Sequence, residues 1–480
     1  MKISFQIILL LTFANNFSFA ETWNVGPNRT YKFCSEIMNL VEDGDVIKID
    51  SALYENDKQV TWTKNNLSIR GANGKPILKA GTLIANDHSN GKGIFVILGN
   101  NTLVENIEFS NSKVPDHNGA GIKLEGANLL VRNCTFSNNE MGILQGGTIA
   151  NCRVNIEFCK FMNNGSVDNP GYQHNVYINH IDTLYFRCNE TLDAIAQGHE
   201  LKSRASNNFI YYNRISNLSS EDSRNIDLPN GGTAVIVGNI IEQGPNSANS
   251  NIIGFGMEGL ENPGPHNLYI CNNTIVNRKN KGSFIQIADI DTLYYKNNFF
   301  LGAKTGGFLI VAPATLDSSN NIVNDDITIA NFKDLPNSDF HLLANSPGRD
   351  AGTVIDGFVK GNILKPFNEF DGGNTPLLRY KDDKIDIGAY EFNPNVSVNE
   401  GIHFGDITIF PNPASDYIAV RNMHVSSLQE IQIYDVMGMK VISVETQNSV
   451  SLQKIDVSAL PTGVYFLRKG DQRMKFMIVK

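Results

Sequence analysis

Apolar and polar residues alternate along most of the chain in short runs that are typical of β-strands. From about residue 67 one pattern recurs, in which an apolar residue and a few variable ones precede an Asn, and a further apolar residue follows. Val104-Glu105-Asn106-Ile107 is one clear copy. The positions that mark one copy each are Asn106, Asn133, Phe158, Asn189, Asn213, Asn239, Asn273, Asn298 and Asn321.

The interval between successive markers is 23 to 34 residues, and no helical pattern intervenes. A period in the mid-twenties, built from β-branched and aromatic runs, indicates a solenoid of stacked strands. An Asn suits such a stack, because it tolerates the left-handed conformation of a sharp corner and its amide can hydrogen-bond along the stack. The sequence therefore predicts an all-β chain, a right-handed parallel β-helix of about nine or ten coils; a β-propeller would need about 40 residues per blade.

The two ends of the repeat region differ from its middle. Residues 21–66 are predicted to form an N-terminal cap, with a short helix through Phe33, Ile37 and Val41 before a strand at Val46-Ile47-Lys48-Ile49. Residues 324–395 are rich in Pro, Gly and Asp turns and are predicted to close the last coil. Residues 396–405 then form a linker, and short alternating runs in 406–480 predict a separate small β-sandwich.

The C-terminal unit closely resembles the C-terminal sorting domain of the type IX secretion system of Bacteroidetes. The matching strings are Phe410-Pro411-Asn412-Pro413-Ala414, Ile433-Tyr434-Asp435 with Gly438, Ile455-Asp456-Val457-Ser458 with Leu460, Gly463-Val464-Tyr465-Phe466 and Lys475-Phe476-Met477-Ile478-Val479-Lys480. The resemblance implies that type IX secretion machinery is a partner and that the protein passes through the periplasm to be secreted or held at the outer-membrane surface. A carbohydrate-binding sandwich is the alternative for this unit.

The N-terminus supports export. Residues 1–20 have the features of a signal peptide, with Lys2 before an apolar run and Ser18-Phe19-Ala20 before the expected cut. No other stretch is apolar enough to span a bilayer, so we expect no transmembrane segment. The net charge of −9 argues against nucleic acid as a partner, and we expect a monomer.

Six cysteines lie in the first 271 residues, without the spacing of a metal site. Several fall on apolar positions of the repeat, which predicts buried free thiols, although export permits disulfides and Cys152 could pair with Cys159.

The stretch from Gly198 to Arg204 is unusually charged for this chain. If Leu201 points inward from a strand, alternation turns Glu200, Lys202 and Arg204 outward. Applied to the neighbouring coils, the same alternation predicts one outward ladder with rungs about 4.8 Å apart. Its members are Asn175, Glu200, Lys202, Asp227 and Glu258, and Tyr177 also points outward.

These residue types suit β-elimination on an acidic polysaccharide. The reaction needs a base for the proton next to a carboxylate, a role for Lys202, and positive charge near the enolate, a role for Arg204 as a carboxylate clamp. His199 or Tyr177 could return the proton to the leaving oxygen. Ca²⁺ is a possible cofactor, held by Glu200, Asp227 and Glu258, and the candidate substrate contacts are Asn175, Asn230 and His174. The alternative is an ion-paired, solvated face of the solenoid, with His174 as a turn residue.

Glu200-Leu201-Lys202-Ser203-Arg204, followed by Asn208-Phe209-Ile210-Tyr211-Tyr212-Asn213, resembles the lysine-bearing coil of the alginate lyase and chondroitinase B family. The resemblance implies that Lys202 is the catalytic base, assisted by an Arg one coil later and by Ca²⁺. Pro229 stands near the place of that Arg in this chain, and Ile195 and Gln197 stand near those of the family's paired calcium glutamates.

The sequence thus predicts an exported protein that acts on polysaccharide, with a lyase of uronate-containing chains as the first hypothesis. Hydrolysis is the second mechanism, for which Asp227 and Glu258 could form the carboxylate pair. A non-catalytic surface protein that binds glycans, as an adhesin does, is the alternative from another class.

Overall fold

The computed structural model describes residues 20–88, 91–302, 307–310, 313–381, 384–394, 407–410, 414–422, 431–436, 438–444, 452–469 and 472–480. The predicted linker and all but the last residue of the predicted signal peptide lie outside these residues. In the described part of the chain, no helix is long and apolar enough to cross a membrane.

Three parallel sheets, here called A, B and C, run the length of the main body, and the chain visits them in that order in each coil. Sheet A contains Thr22–Val25, Val46–Asp50, Ser68–Ala72, Thr102–Glu105, Leu129–Arg132, Ile149–Glu157, Ile181–Arg187, Asn207–Tyr211, Thr233–Val237, Asn267–Cys271, Thr292–Lys296 and Thr315–Ser319. Sheet B contains Leu53–Glu55, Ile77–Lys79, Glu108–Ser110, Thr135–Ser137, Lys160–Met162, Glu190–Leu192, Arg214–Asn217, Ile240–Gln243, Thr274–Asn277, Phe299–Leu301 and Ile322–Asn324. Sheet C contains Val60–Trp62, Gly93–Ile97, Ala120–Leu124, Met141–Gln145, Val176–Ile178, Leu201–Ser203, Ile226–Leu228, Asn251–Phe255, Ser283–Ile287 and Gly307–Ile310.

This arrangement confirms the predicted parallel β-helix. Sheet A has 12 strands, sheet B has 11 and sheet C has 10, so the stack has slightly more turns than the repeat markers count. The difference arises at the N-terminal end, because three strands of sheet A precede that of the first marker, namely Thr22–Val25, Val46–Asp50 and Ser68–Ala72.

The sequence assigns two roles to one Asn per coil, the left-handed corner residue and the amide that bonds along the stack. At the corner between sheets A and B, these roles fall on two different residues in the later coils. The left-handed residue of each corner is Asn106, Asn133 or Phe158 in early coils. In later coils it is the residue just before the marker, such as Cys188 or Tyr212. The marker itself is then a buried Asn that bonds to the next coil, as Asn213 Nδ2 does to Asn239 Oδ1 at 2.8 Å.

The interior of the helix is filled by columns of side chains from successive coils. Phe109, Phe136 and Phe161 stack almost parallel, with ring centroids 5.2 and 4.8 Å apart. Each such pair adds about 0.5–1.5 kcal/mol beyond the burial of its apolar surface. All six cysteines are free thiols, and five are buried, so the prediction of unpaired thiols holds and Cys152 does not pair with Cys159.

Helical structure in the described residues is limited to the α-helix Thr82–Ala85 and the 3₁₀ turns Cys34–Glu36, Ile327–Ala330 and Leu335–Asn337. The prediction of a helix through Phe33, Ile37 and Val41 is therefore wrong. A single 3₁₀ turn already buries Ile37 and Val41, and so short a segment does not repay the cost of nucleating an α-helix.

Between residues 332 and 378 the chain forms hairpins of short strands, namely Phe332–Asp334 with Asp339–Leu342, Phe358–Val359 with Asn362–Ile363, and Asn368–Glu369 with Leu377–Leu378. Part of this segment lies along the outer face of sheet A, where Tyr211 Oη donates to the Ile363 carbonyl at 2.9 Å. Ile355 and Leu364 pack there against Phe209 and Val235. The segment thus covers apolar outer surface of sheet A rather than the predicted last coil, where Leu316 of sheet A is 56 % exposed.

The C-terminal unit has two antiparallel sheets and its own core. One sheet contains Ile407–Phe410, Tyr417–Asn422 and Leu452–Asp456, and the other contains Ile431–Asp435, Lys440–Val444, Gly463–Lys469 and Gln472–Ile478. Ile418, Ile433, Leu467 and Phe476 are fully buried within it. These sheets confirm the predicted small β-domain.

Candidate active site

Sheet C brings the charged stretch into register with its neighbours. Tyr177, Lys202, Asp227 and Gly254 occupy one column on successive strands. Leu201 and Ile226 point into the core and are fully buried, so Lys202 and Asp227 lie on the opposite face.

Lys202 lies between two carboxylates. Its Nζ is 2.6 Å from Glu258 Oε1 and 3.3 Å from Asp227 Oδ2. The first distance is a hydrogen bond, whereas Asp227 Oδ2 makes ion-pair contacts without hydrogen-bond geometry. Lys202 is only 8 % exposed, so Glu258 covers its ammonium group from the solvent side.

Arg204 joins three other groups of the same surface. Its guanidinium contacts Glu258 Oε2 at 2.5 Å, Asn230 Oδ1 at 2.5 Å and Tyr177 Oη at 3.1 Å. Partial burial raises the pKa of Glu258, but hydrogen bonds from Lys202 and Arg204 outweigh it and lower the pKa to about 2. Glu258 is therefore ionised at neutral pH, and the site as it stands is a closed network of ion pairs.

Glu258 reaches this network from a loop, and not from the strand where the residue pattern places it. The residue beside Asp227 on the next strand is Gly254. Glu258 follows the end of that strand, and its backbone N–H donates to the Pro229 carbonyl at 3.0 Å. Its side chain is 43 % exposed, the largest exposure in the network of Lys202, Arg204 and Asp227.

Two candidate histidines stack beside the column. The rings of His174 and His199 lie 5.0 Å apart and nearly parallel, and the His174 ring also stacks on Tyr177. His174 Nδ1 accepts the His199 N–H at 3.0 Å, and His199 Nδ1 accepts the Arg224 N–H at 3.0 Å. Burial lowers the pKa of His199 to about 3 and that of His174 well below its usual value, so both rings are neutral and carry their proton on Nε2. His199 Nε2 lies 3.5 Å from Asp227 Oδ2.

Arg224 belongs to this site, and the sequence analysis missed it. Its Nη1 lies 3.0 Å from Asp227 Oδ1. A Cβ at position 254 would lie 2.8 Å from Arg224 Cδ, so Gly254 leaves the room that the side chain needs. A signal in the sequence could have found it, because His174, His199 and Arg224 follow one another at intervals of 25 residues. The guanidinium thus lies above Lys202 on sheet C, between Asp227 and Gln286.

Glu200 and Asn175 lie away from this surface, although strand alternation places them on it. Both are fully buried, and Asn175 Nδ2 donates to Glu200 Oε2 at 2.5 Å. Glu200 Oε1 accepts the Ala194 N–H at 2.7 Å, in the corner between sheets B and C. Each residue directly precedes its strand, where alternation no longer fixes the direction of a side chain.

The surface offers little room for the predicted Ca²⁺. Asp227 is held by Arg224 and Lys202, Glu258 is held by Lys202 and Arg204, and Glu200 faces the corner. Across the described ranges, no group of three or more His, Cys, Asp or Glu is placed to hold a metal ion. The carboxylates here do not fit Ca²⁺ as they are arranged, and the reaction proposed below uses no metal.

Comparison with known proteins gives a family match for the C-terminal unit and a fold match for the β-helix. Residues 408–480 match the family described as the secretion system C-terminal sorting domain. No curated protein matches the sequence. Among solved structures, pectate lyase Pel9A is similar over 79 % of this chain and 98 % of that chain, with a TM-score of 0.54 and 15 % identity.

Two pectin methylesterases are more distant. The enzyme from Aspergillus niger has a TM-score of 0.32 at 12 % identity, over 64 % of this chain and 88 % of that chain. PemA from Erwinia chrysanthemi has a TM-score of 0.30 at 11 % identity, over 63 % and 94 %. The chain therefore joins a parallel β-helix, similar in fold to that of pectate lyase Pel9A, to a secretion system C-terminal sorting domain.

Proposed function

We propose that this protein is exported to act on an acidic polysaccharide, and that it cleaves a uronate-containing chain by β-elimination at the surface formed by Tyr177, Lys202, Arg204, Arg224 and Asp227. The sorting domain supports export to the cell surface or the medium. The observation that carries the proposal is the contact of Lys202 and Arg204 with one exposed carboxylate, Glu258.

Glu258 occupies the place that a substrate carboxylate would take. Arg204 binds it through a short charge-assisted bond, the kind of contact that recognises carboxylates and phosphates. A uronate that replaces Glu258 on Arg204 also removes the hydrogen bond that holds the Lys202 ammonium. Lys202 can then release its proton to solvent water and act as a base, while Arg204 and Arg224 supply positive charge where the enolate forms.

The Lys202 amine takes the proton from the carbon next to the uronate carboxyl, and the released electron pair forms a carbon–carbon double bond as the bond to the leaving oxygen breaks. The leaving oxygen takes the proton of Tyr177. Tyr177 suits this role because its oxygen accepts a hydrogen bond from Arg204 Nε at 3.1 Å, which leaves the hydroxyl proton free to be donated. His199 suits it less, since its Nε2 faces Asp227 and its pKa is far below neutrality.

Hydrolysis by Asp227 and Glu258 is less compatible with the arrangement. A glycosidase needs one carboxyl group that keeps its proton near neutral pH. The pKa of Glu258 at about 2 excludes that role for it, and Asp227 contacts both Arg224 and Lys202.

The experiment is an ultraviolet assay for unsaturated uronate products. The protein is incubated with alginate, pectate and glycosaminoglycans, each with Ca²⁺ and with a chelator. We expect absorbance to rise on at least one of these polymers. If none gives an unsaturated product while affinity electrophoresis detects binding to a polymer, the non-catalytic glycan-binding alternative replaces the lyase.

A further inference from the structure

A second polar cluster lies inside the helix, in the corner where the strands of sheet B end and those of sheet C begin. We call it the acceptor corner, and it consists of Glu200, Asn217, Asp222, Asn225 and Gln243. All five side chains are fully buried. Polar groups in such a place normally have hydrogen-bond partners, because a buried acceptor without one costs about 1–3 kcal/mol.

The members are held together by contacts between neighbouring coils. Asn217 and Gln243 are partners on adjacent strands of sheet B. Asn225 Nδ2 donates to the carbonyls of Ile215 and Glu242, at 3.3 and 3.2 Å, next to that pair.

Ser247 links the same pair to the loop that carries Asp222. Gln243 Nε2 donates to Ser247 Oγ at 3.2 Å, and this hydroxyl donates in turn to the Ser223 carbonyl at 2.8 Å. The Ser223 N–H donates to the Gly198 carbonyl at 2.7 Å and the Leu201 N–H donates to the Asn225 carbonyl at 3.1 Å, so Glu200 and Asp222 lie in adjacent coils of the same corner.

Five side-chain oxygens of the corner have no hydrogen-bond partner among the described residues. They are Asn217 Oδ1, Asp222 Oδ1, Asp222 Oδ2, Asn225 Oδ1 and Gln243 Oε1. The orientation of two of the amides is fixed, because the nitrogens of Asn225 and Gln243 donate to backbone carbonyls. Turning either amide over would set its oxygen against a carbonyl oxygen, so the excess of acceptors is a property of the fold.

The corner is also poor in compensating positive charge. Lys279 lies nearest, but its Nζ donates to the Ser247 carbonyl. Burial, and then the charge of Glu200, raise the pKa of Asp222 well above its usual value, and burial raises the pKa of Glu200 to about 8. The oxygens of Asp222, Asn217, Asn225 and Gln243 thus lack donors, and only one donor of the cluster, Asn217 Nδ2, is itself without a partner. Glu200 lies beside them, with its two oxygens accepting from Ala194 and Asn175. An excess of carboxyl and amide oxygens over donors is the ligand chemistry of a hard cation.

We propose that the acceptor corner binds one Ca²⁺ ion, through Asp222, Glu200 and the amide oxygens of Asn217, Asn225 and Gln243. Ca²⁺ takes six to eight oxygen ligands in flexible geometry, whereas Mg²⁺ is smaller and keeps its waters. With only two carboxylates, the site depends on neutral amides for its remaining ligands. The ion would join three successive coils directly behind the strands that carry Lys202 and Asp227, and so brace the candidate active site from inside.

The test measures metal and stability, and it needs no substrate. The purified chain is dialysed against EGTA, its Ca²⁺ content is measured by plasma mass spectrometry, and Ca²⁺ or Mg²⁺ is added back during thermal melts. We expect one Ca²⁺ per chain before chelation, a lower melting temperature after it, and recovery with Ca²⁺ but not with Mg²⁺. If the purified chain contains no Ca²⁺ and added Ca²⁺ does not change its melting temperature, the proposal is wrong and water fills the corner.

Two isosteric variants and a matched control locate the ion. Asp222→Asn removes one ligand charge and should weaken Ca²⁺ binding by about tenfold or more, whereas Asn217→Asp adds a charge and should tighten it. Glu258→Gln removes a carboxylate from the active-site surface and should leave binding unchanged. If Glu258→Gln abolishes binding while Asp222→Asn retains it, the ion lies at the surface and the corner site is wrong. Either result is independent of whether the protein proves to be a lyase.

Discussion

Lys202 and Glu258 define the proposed chemistry at the scale of single residues. In the free protein the Lys202 ammonium is ion-paired with Glu258, and this contact must break before Lys202 can act as a base. Glu258 is suited to leave, because it comes from a loop and is the most exposed member of the network. The ion pair therefore acts as an internal substitute for the substrate carboxylate.

The pKa of Glu258 gives a prediction for the dependence of stability on pH. The folded protein lowers this pKa from 4.5 to about 2, so the pair stabilises the fold fully above pH 4.5 and loses its effect as the pH falls towards 2. The contribution is small, since the carboxylate is 43 % exposed. Thermal melts of wild type and Glu258→Gln should differ by a constant amount above pH 4.5 and converge below it. A difference that persists to pH 2 would contradict the pairing.

At the scale of elements, strand register and ladders of Asn side chains, which hydrogen-bond from coil to coil, hold the stack together. The corner between sheets A and B carries a buried ladder, in which Asn239 Oδ1 accepts from both the backbone and the side chain of Asn213. A second ladder is exposed and joins Asn65 to Asn100. Only the first excludes water, so only the first should be costly to break.

Asn239→Ala should lower the free energy of unfolding by about 3 kcal/mol, because two buried donors of Asn213 lose their acceptor. The matched control is Asn100→Ala, where water replaces the lost partners and the loss should stay below about 1 kcal/mol. Urea unfolding followed by circular dichroism gives both values. Equal losses at the two positions would mean that burial does not control the strength of the ladder.

How much of the fold and the site the sequence could predict depends on whether a residue lies inside a strand. Alternation and repeat spacing predict the stack, and they place Lys202 next to Asp227 because both lie inside strands. Alternation does not predict the side-chain direction of Glu200, because it directly precedes a strand. Nor does it predict that of Glu258, because it belongs to a loop. Arg224 depends on the room left by Gly254 one coil away, which only the three-dimensional stack reveals.

At the scale of the whole molecule, the β-helix and the C-terminal unit have separate hydrophobic cores. The β-helix core and the core of the C-terminal unit have no residue in common. The first positions the candidate active site, and the second belongs to the sorting domain. This division predicts that the two parts fold and act independently.

A chain that ends at residue 395 should keep the circular dichroism spectrum and the melting temperature of the β-helix. In a bacterium with a type IX system, it should remain in the periplasm, whereas the full chain should reach the surface or the medium. Cell fractionation with antibody detection measures this. Aggregation of the shortened chain, or its normal export, would contradict the separation of the two roles.

The central claim is that sheet C carries a lyase site in which Lys202 is the base. The most direct measurement is the rate of unsaturated-uronate formation by Lys202→Met on the polymer that the wild type cleaves. The control is Lys160→Met, which removes another cross-coil ion pair, that of Lys160 and Glu190 on sheet B at 2.8 Å. We predict a loss of about two to four orders of magnitude for Lys202→Met and little change for Lys160→Met. A Lys202→Met protein that folds normally and turns over at the wild-type rate would contradict the claim.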